Sequence, residues 1–204
     1  MPAKHIMPCH TPATGPGRRA GFGLLGLVVC VALAAAPGPA SAQLFGENEM
    51  VKAGRSGSLA GAQSALMSGE SANTRSSEGS PVLVLAAEGG HQGVMDYLLT
   101  NGAHIDGTDA QGRTALMWVA SGGHEQAVRM LLARGAAVNR MDRQGETALV
   151  KAVRRGQVGV ARLLLDAGAD PEIADYTGNS AIDHARNGRS RELDRMLEAA
   201  ANGG

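Results

Sequence analysis

Beyond residue 75 the apolar positions fall into short stretches at helical spacing, and the stretches return at a fixed interval. Val94 with Leu98-Leu99 and Val128 with Leu131-Leu132 each lay an apolar stripe along one side of a helix. Ahead of each stripe runs a second stretch richer in small residues, with Ala86-Ala87, Ala120 and Ala152, and glycines separate the two. The pattern predicts pairs of short helices. The first of each pair is thin enough for neighbouring pairs to approach closely. Leu131 and Leu132 sit mid-array and are both expected to be buried by the pairs on either side. The N-terminal region is patterned differently, with one apolar run from Gly21 to Ala36 and no polar alternation.

The interval is 33 residues. Asp109, Asp142 and Asp175 are spaced by it, as are Gly79, Gly112, Gly145 and Gly178. Thr114, Thr147 and Ser180 follow those last three glycines by two residues. Leu98-Leu99, Leu131-Leu132 and Leu164-Leu165 recur, and Gly102, Gly135 and Gly168 close each stripe. Agreement over so many columns marks a repeat architecture. Each column has a physical task. Asp-x-x-Gly closes a tight turn, Thr or Ser caps the first helix, and the closing glycine ends the second in the left-handed conformation. Pro81 replaces the capping residue in one unit, at a helix start where no N–H is needed.

The stretch Asp109 to Asn139 (DAQGRTALMWVASGGHEQAVRMLLARGAAVN) resembles the ankyrin repeat, and the resemblance covers the chain from about Gln43 onward. It implies an all-α solenoid of stacked helix-turn-helix units with β-hairpin-like turns. Five units follow: a degenerate first at 43–75, then 76–108, 109–141, 142–174 and 175–204. Because no unit buries its apolar faces alone, stacking supplies the core and the end units turn polar outward. The last unit carries Arg186, Arg189, Arg191, Glu192, Asp194, Arg195 and Glu198, and its separating glycine comes one residue early, at Gly188. The first unit is Ser- and Gly-rich, with half of the ladder missing, and is expected to be the least stable.

Residues 1–42 read as a signal peptide. A basic stretch ends at Arg18-Arg19, the apolar run follows, and Pro37-Gly38-Pro39 leads to Ala40-Ser41-Ala42, which places cleavage before Gln43. Both cysteines, Cys9 and Cys30, fall in this segment, so the exported chain folds without disulfides. The expected location is the periplasm of a Gram-negative cell. An uncleaved inner-membrane anchor and a secreted effector acting on a host protein are the alternatives.

The whole chain is formally neutral, with 19 basic and 19 acidic residues. The first 42 residues hold Lys4, Arg18 and Arg19 and no acid, leaving 16 basic against 19 acidic residues afterwards. That balance argues against a nucleic-acid partner, which needs a broad positive field. No catalytic constellation emerges: residues 43–204 hold no Cys, no HExxH, and no Gly-rich loop ahead of a Lys-Ser/Thr pair. His91 and His124 share one column and read as structural. The chain is therefore expected to be neither an enzyme nor a cofactor or metal binder, and to act as a monomer that binds another protein.

The resemblance also implies where. In ankyrin repeats the turn tips and the exposed side of the first helices form a concave binding surface. Carried onto this sequence, it begins with Glu78 and Glu88 and centres on Gln111, Arg113, Ser121, Arg143, Gln144, Glu146, Arg154 and Arg155. It ends with Tyr176, Thr177, Asn179 and Asn187. Trp118 stands in a column that also holds Leu85, Lys151 and His184, where it packs or offers an exposed anchor for a partner. The arginines form a local basic strip on a slightly acidic chain, which predicts a partner presenting acidic groups.

Overall fold

The computed structural model describes residues 47–188 and 190–202. The expected signal segment, the cleavage point before Gln43 and Arg189 lie outside the described residues. Ten helices occur among the described residues, two to each unit. They are α1 Glu49–Ser56, α2 Leu59–Met67, α3 Val82–Glu88, α4 Gln92–Thr100, α5 Ala115–Gly122, α6 Glu125–Ala133, α7 Ala148–Arg154, α8 Val158–Asp166, α9 Ala181–Asn187 and α10 Arg191–Asn202. None of these is long and apolar enough to cross a membrane.

Each unit opens on a turn closed by its own aspartate. Asp109 Oδ1 accepts the backbone N–H groups of Gln111 and Arg113, both at 2.9 Å, and Asp142 does the same for Gln144 and Glu146. Gly112 and Gly145 both take φ of +79°, a conformation that L side chains rarely adopt. The tips are stitched between units, because Arg143 N–H donates to Gln111 O and Tyr176 N–H to Gln144 O, at 2.9 and 3.0 Å. Pairing goes no further than isolated bridges such as Thr108 with Thr114, so the hairpins are turns without strands among the described residues. The hydroxyls of Thr114, Thr147 and Ser180 then accept the N–H three residues on and start α5, α7 and α9. Such a cap contributes about 1 kcal/mol.

The odd-numbered helices form one layer and the even-numbered helices the other. Small residues at Ala86, Ala120 and Ala152, all fully buried, let α3, α5 and α7 pack more closely than α4, α6 and α8, which curves the stack toward the odd layer. Leu98, Leu131 and Leu164 run through the core at 0% exposure. Their neighbours Leu99, Leu132 and Leu165 are only partly buried against it. The expectation that Leu131 and Leu132 are both buried by the flanking units therefore holds for Leu131 and is corrected for Leu132. Adjacent residues on a helix diverge by about 100°, and a single position can face both flanking units.

Side chains also bridge the units. Asn73 donates to Gly102 O and accepts from His104 N–H, and Asn139 repeats the arrangement with Gly168 and Asp170. Asp106, with no donor, makes only the second bond, to Ala137 N–H. The His91 and His124 rings lie against glycines of the preceding unit. A Cβ on Gly90 (φ +67°) would come within 2.6 Å of the His124 ring.

The first unit is unevenly built. Helix α1 is well anchored, with Met50 and Val51 buried and Met50 N–H shared between Asn48 and Glu70. Helix α2 buries only Ala62 and Ala65 and leaves Met67 87% exposed. In the last unit Gly188 is extended, at φ −83° and ψ 179°, where α5 ends on a left-handed glycine.

Candidate functional site

Three aspartates that close turns also hold the first helix of their own unit through the residue nine positions on. Asp109 Oδ2 accepts Trp118 Nε1–H at 3.2 Å, Asp142 Oδ2 pairs with Lys151 Nζ at 2.7 Å, and Asp175 Oδ2 accepts His184 Nε2–H at 2.8 Å. In the second unit Ser76 stands for the aspartate and Leu85 for the donor, so both charge and donor are missing together. In the first two sets the side chain four residues beyond the aspartate joins in. Arg113 Nε meets Asp109 Oδ2 at 2.8 Å, with its guanidinium 4.2 Å from the Trp118 ring centroid. Glu146 takes both Lys151 and Arg154.

Members of the first two sets line a cavity of about 480 Å³ between the units that start at 109 and 142. Arg113, Trp118, Ser121, Gln144, Glu146, Arg154 and Arg155 all line it, so seven of the positions expected at the binding surface are brought together. Other expected positions lie elsewhere, with Glu78 and Glu88 at a separate cavity nearer the first unit. Gln111 and Arg143 sit at the stitched turn tips, Tyr176 is 72% exposed on the next tip, and Asn179 bonds Thr177 within the last turn. Trp118 is half-buried, with its indole N–H spent on Asp109.

Glu146 differs from its expected place at the surface. Its side chain is 5% exposed, and it anchors cations without facing solvent freely. Arg154 is half exposed and tied to that carboxylate, whereas Arg155 and Arg143 are exposed with no ion pair among the described residues. Sequence reasoning missed Lys151 and Met117, which also line the cavity. For Lys151 a signal was present, since the column Trp118, Lys151, His184 carries a donor wherever an aspartate stands nine residues before. The cavity thus has an aromatic wall, the recessed Glu146 carboxylate, the paired guanidinium groups of Arg113 and Arg154, and Arg155 exposed beside them. Guanidinium groups are suited to bidentate pairing with carboxylates. Among the described residues no His/Cys/Asp/Glu group is arranged to hold a metal.

The last set makes the C-terminal unit sensitive to acid. The Thr177 hydroxyl, at 2.6 Å, is the main cause that holds the Asp175 carboxyl well below the usual carboxylate range. His184 and the N–H groups of Asn179 and Thr177 add to it, against an opposing contribution from burial. A folded-state pKa below the unfolded one contributes stability that is complete above about pH 4 and is lost as pH falls toward the folded value. Lowering pH from about 5 to about 2.5 should therefore reduce the urea midpoint less in Asp175→Asn than in wild type. Equal reductions would show that Asp175 carries none of the acid sensitivity.

Comparison with known proteins agrees with this construction. The family model described as ankyrin repeats (three copies) matches residues 49–142 and 83–175, together more than half of the chain. No curated protein matches the sequence significantly. A fold of stacked helix pairs, turns closed by aspartate at a 33-residue interval, and this match lead to one assignment: the chain belongs to the ankyrin-repeat family, whose members serve as protein-protein interaction modules.

Proposed function

We propose that this protein is an exported, periplasmic interaction module, an adaptor or accessory to another envelope protein, and that it holds its partner on the face formed by α5, α7 and their turn tips. The observation that carries this reading is the cavity beside Trp118, where the Glu146 carboxylate is recessed while Arg154 is half exposed and Arg155 exposed. The partner offers acidic groups to that face. The reading of export rests on the basic stretch, the apolar run and Ala40-Ser41-Ala42. Mass spectrometry of the envelope fraction should find a chain beginning at Gln43, and an intact Met1 form confined to the cytosol would refute export.

Arg143 and Arg155 are the residues to reverse, because they are exposed and hold no ion pair among the described residues, whereas reversing Arg154 would set a carboxylate against buried Glu146. Arg143→Glu with Arg155→Glu should weaken the partner captured from envelope extract at least tenfold, with the melting curve unchanged. Binding should also weaken as salt rises, since the Debye length is about 8 Å at physiological ionic strength. Arg129→Glu on α6 serves as the control, its only ion pair among the described residues being an exposed one to Glu125. Arg134 is unsuited to that role because it pairs with Asp96 at 2.6 Å. Undiminished binding by the Arg143/Arg155 variant would remove the cationic face from the reading.

A further inference from the structure

The inner face changes sign along its length. One column on the first helices runs Arg55, Glu88, Ser121, Arg154, Asn187, and one on the turn tips runs Glu78, Gln111, Gln144, Thr177. Near α1 and α3, Glu78 and Glu88 border a cavity of about 370 Å³ whose one cation, Arg55, lies 3.2 Å from Glu47 and 3.8 Å from Glu78. Arg55 pairs with Glu47 and Glu78, and Glu88 has no ion pair among the described residues. The Arg75 guanidinium is spent on the backbone oxygens of Gly79 and Thr108, and the Glu78 side chain is 72% exposed. Two units further on the arrangement inverts. The side chains of Asp109, Asp142 and Glu146 are only 3%, 2% and 5% exposed, while that of Arg154 is 52% exposed and Arg155 projects beside it.

We infer that this face binds an extended segment of its partner that carries carboxylates at one end and ammonium or guanidinium groups at the other. The carboxylates lie against Arg143, Arg154 and Arg155, and the cations against Glu78 and Glu88. The inference rests on the cationic face proposed above and extends it to a second pole. Helix-packing distances of 8–10 Å per unit place the poles about 20 Å apart, which an extended chain spans in about six residues. That separation exceeds the Debye length at physiological salt, so each pole acts on its own end of the segment. A uniformly acidic segment long enough to span both poles would be repelled at Glu78 and Glu88. The opposed poles thus select a two-signed segment and fix its direction along the groove.

The probes are fluorescein-labelled peptides with capped ends, titrated by anisotropy against the purified protein at about 0.1 M salt, where the Debye length is about 10 Å. Two contain a block of four Glu and a block of four Lys separated by six Gly/Ser residues, in either order. A third has the same composition with the charges alternating, and a fourth replaces the Lys block with Ser. At least one block order should bind at least fivefold more tightly than the alternating and the Glu-only peptides. Glu78→Gln with Glu88→Gln should erase that advantage and leave binding of the Glu-only peptide unchanged or tighter. Arg143→Glu with Arg155→Glu should weaken every Glu-block peptide. Block peptides that bind no better than the Glu-only one, or indifference to the Glu78/Glu88 change, would overturn the second pole and leave the cationic face standing. Indifference to the arginine change, or no binding by any peptide, would overturn both.

Discussion

Leu131→Ala should lower the free energy of unfolding by about 3 kcal/mol, within the usual 2–5 kcal/mol for emptying a leucine site that cannot collapse. Leu131 is 0% exposed on α6, with Leu98 on α4 and Leu164 on α8 in the same column. Units on both sides wall the site, so neither can move in without losing its own contacts. Leu132→Ala should cost clearly less, because Leu132 is partly buried. Leu66→Ala in α2 should cost less again. The core column of that unit holds Ala65 in place of leucine, and the helix already leaves Leu59 41% and Met67 87% exposed. Urea titrations of the three variants decide the order. Equal losses at Leu131 and Leu132 would show that the stack encloses both positions and that the divergence of adjacent helical residues does not separate them.

The interval of 33 residues, the helix pairs, the caps and the glycine positions were all legible, because each is a local signal repeated several times in the chain. Seven of the surface positions meeting at one cavity followed from the same register. What escaped was set by contacts between a turn and a helix of the same unit. Glu146 reads as a turn-tip residue destined for solvent, and nothing within three residues of it says otherwise. It is buried because Lys151 and Arg154, on the helix that follows, fold back over it. The indole N–H of Trp118 likewise finds its acceptor nine residues upstream, at Asp109. In the last unit, the early glycine foreshadowed a different turn but not its form. The two-signed inner face was legible only in fragments, since Glu78 and Glu88 gain meaning once Asp109, Asp142 and Glu146 are seen to be recessed.

Lys151→Leu should cost about 3 kcal/mol, the lower part of the range for removing one partner from a buried ion pair. The Lys151 side chain is 14% exposed and serves two carboxylates, Asp142 and Glu146, which are 2% and 5% exposed. Its loss leaves both in a poorly solvated site. The cost stays toward the low end because Asp142 keeps two backbone N–H donors and Glu146 keeps Arg154. The chain itself contains the remedy. In the preceding part of the stack the equivalent positions are Ser76, Ser80 and Leu85, all buried and uncharged, with Ser80 N–H donating to the Ser76 hydroxyl at 3.2 Å. Asp142→Ser and Glu146→Ser added to Lys151→Leu should therefore recover most of the loss, because replacing a buried charged set as a whole is far less costly than breaking it. Urea or thermal unfolding of the single and triple variants distinguishes the outcomes. A harmless Lys151→Leu would mean that solvent reaches the two carboxylates. A triple variant no more stable than the single one would mean that the turn needs an aspartate for its two N–H bonds, whatever stands on the helix behind it.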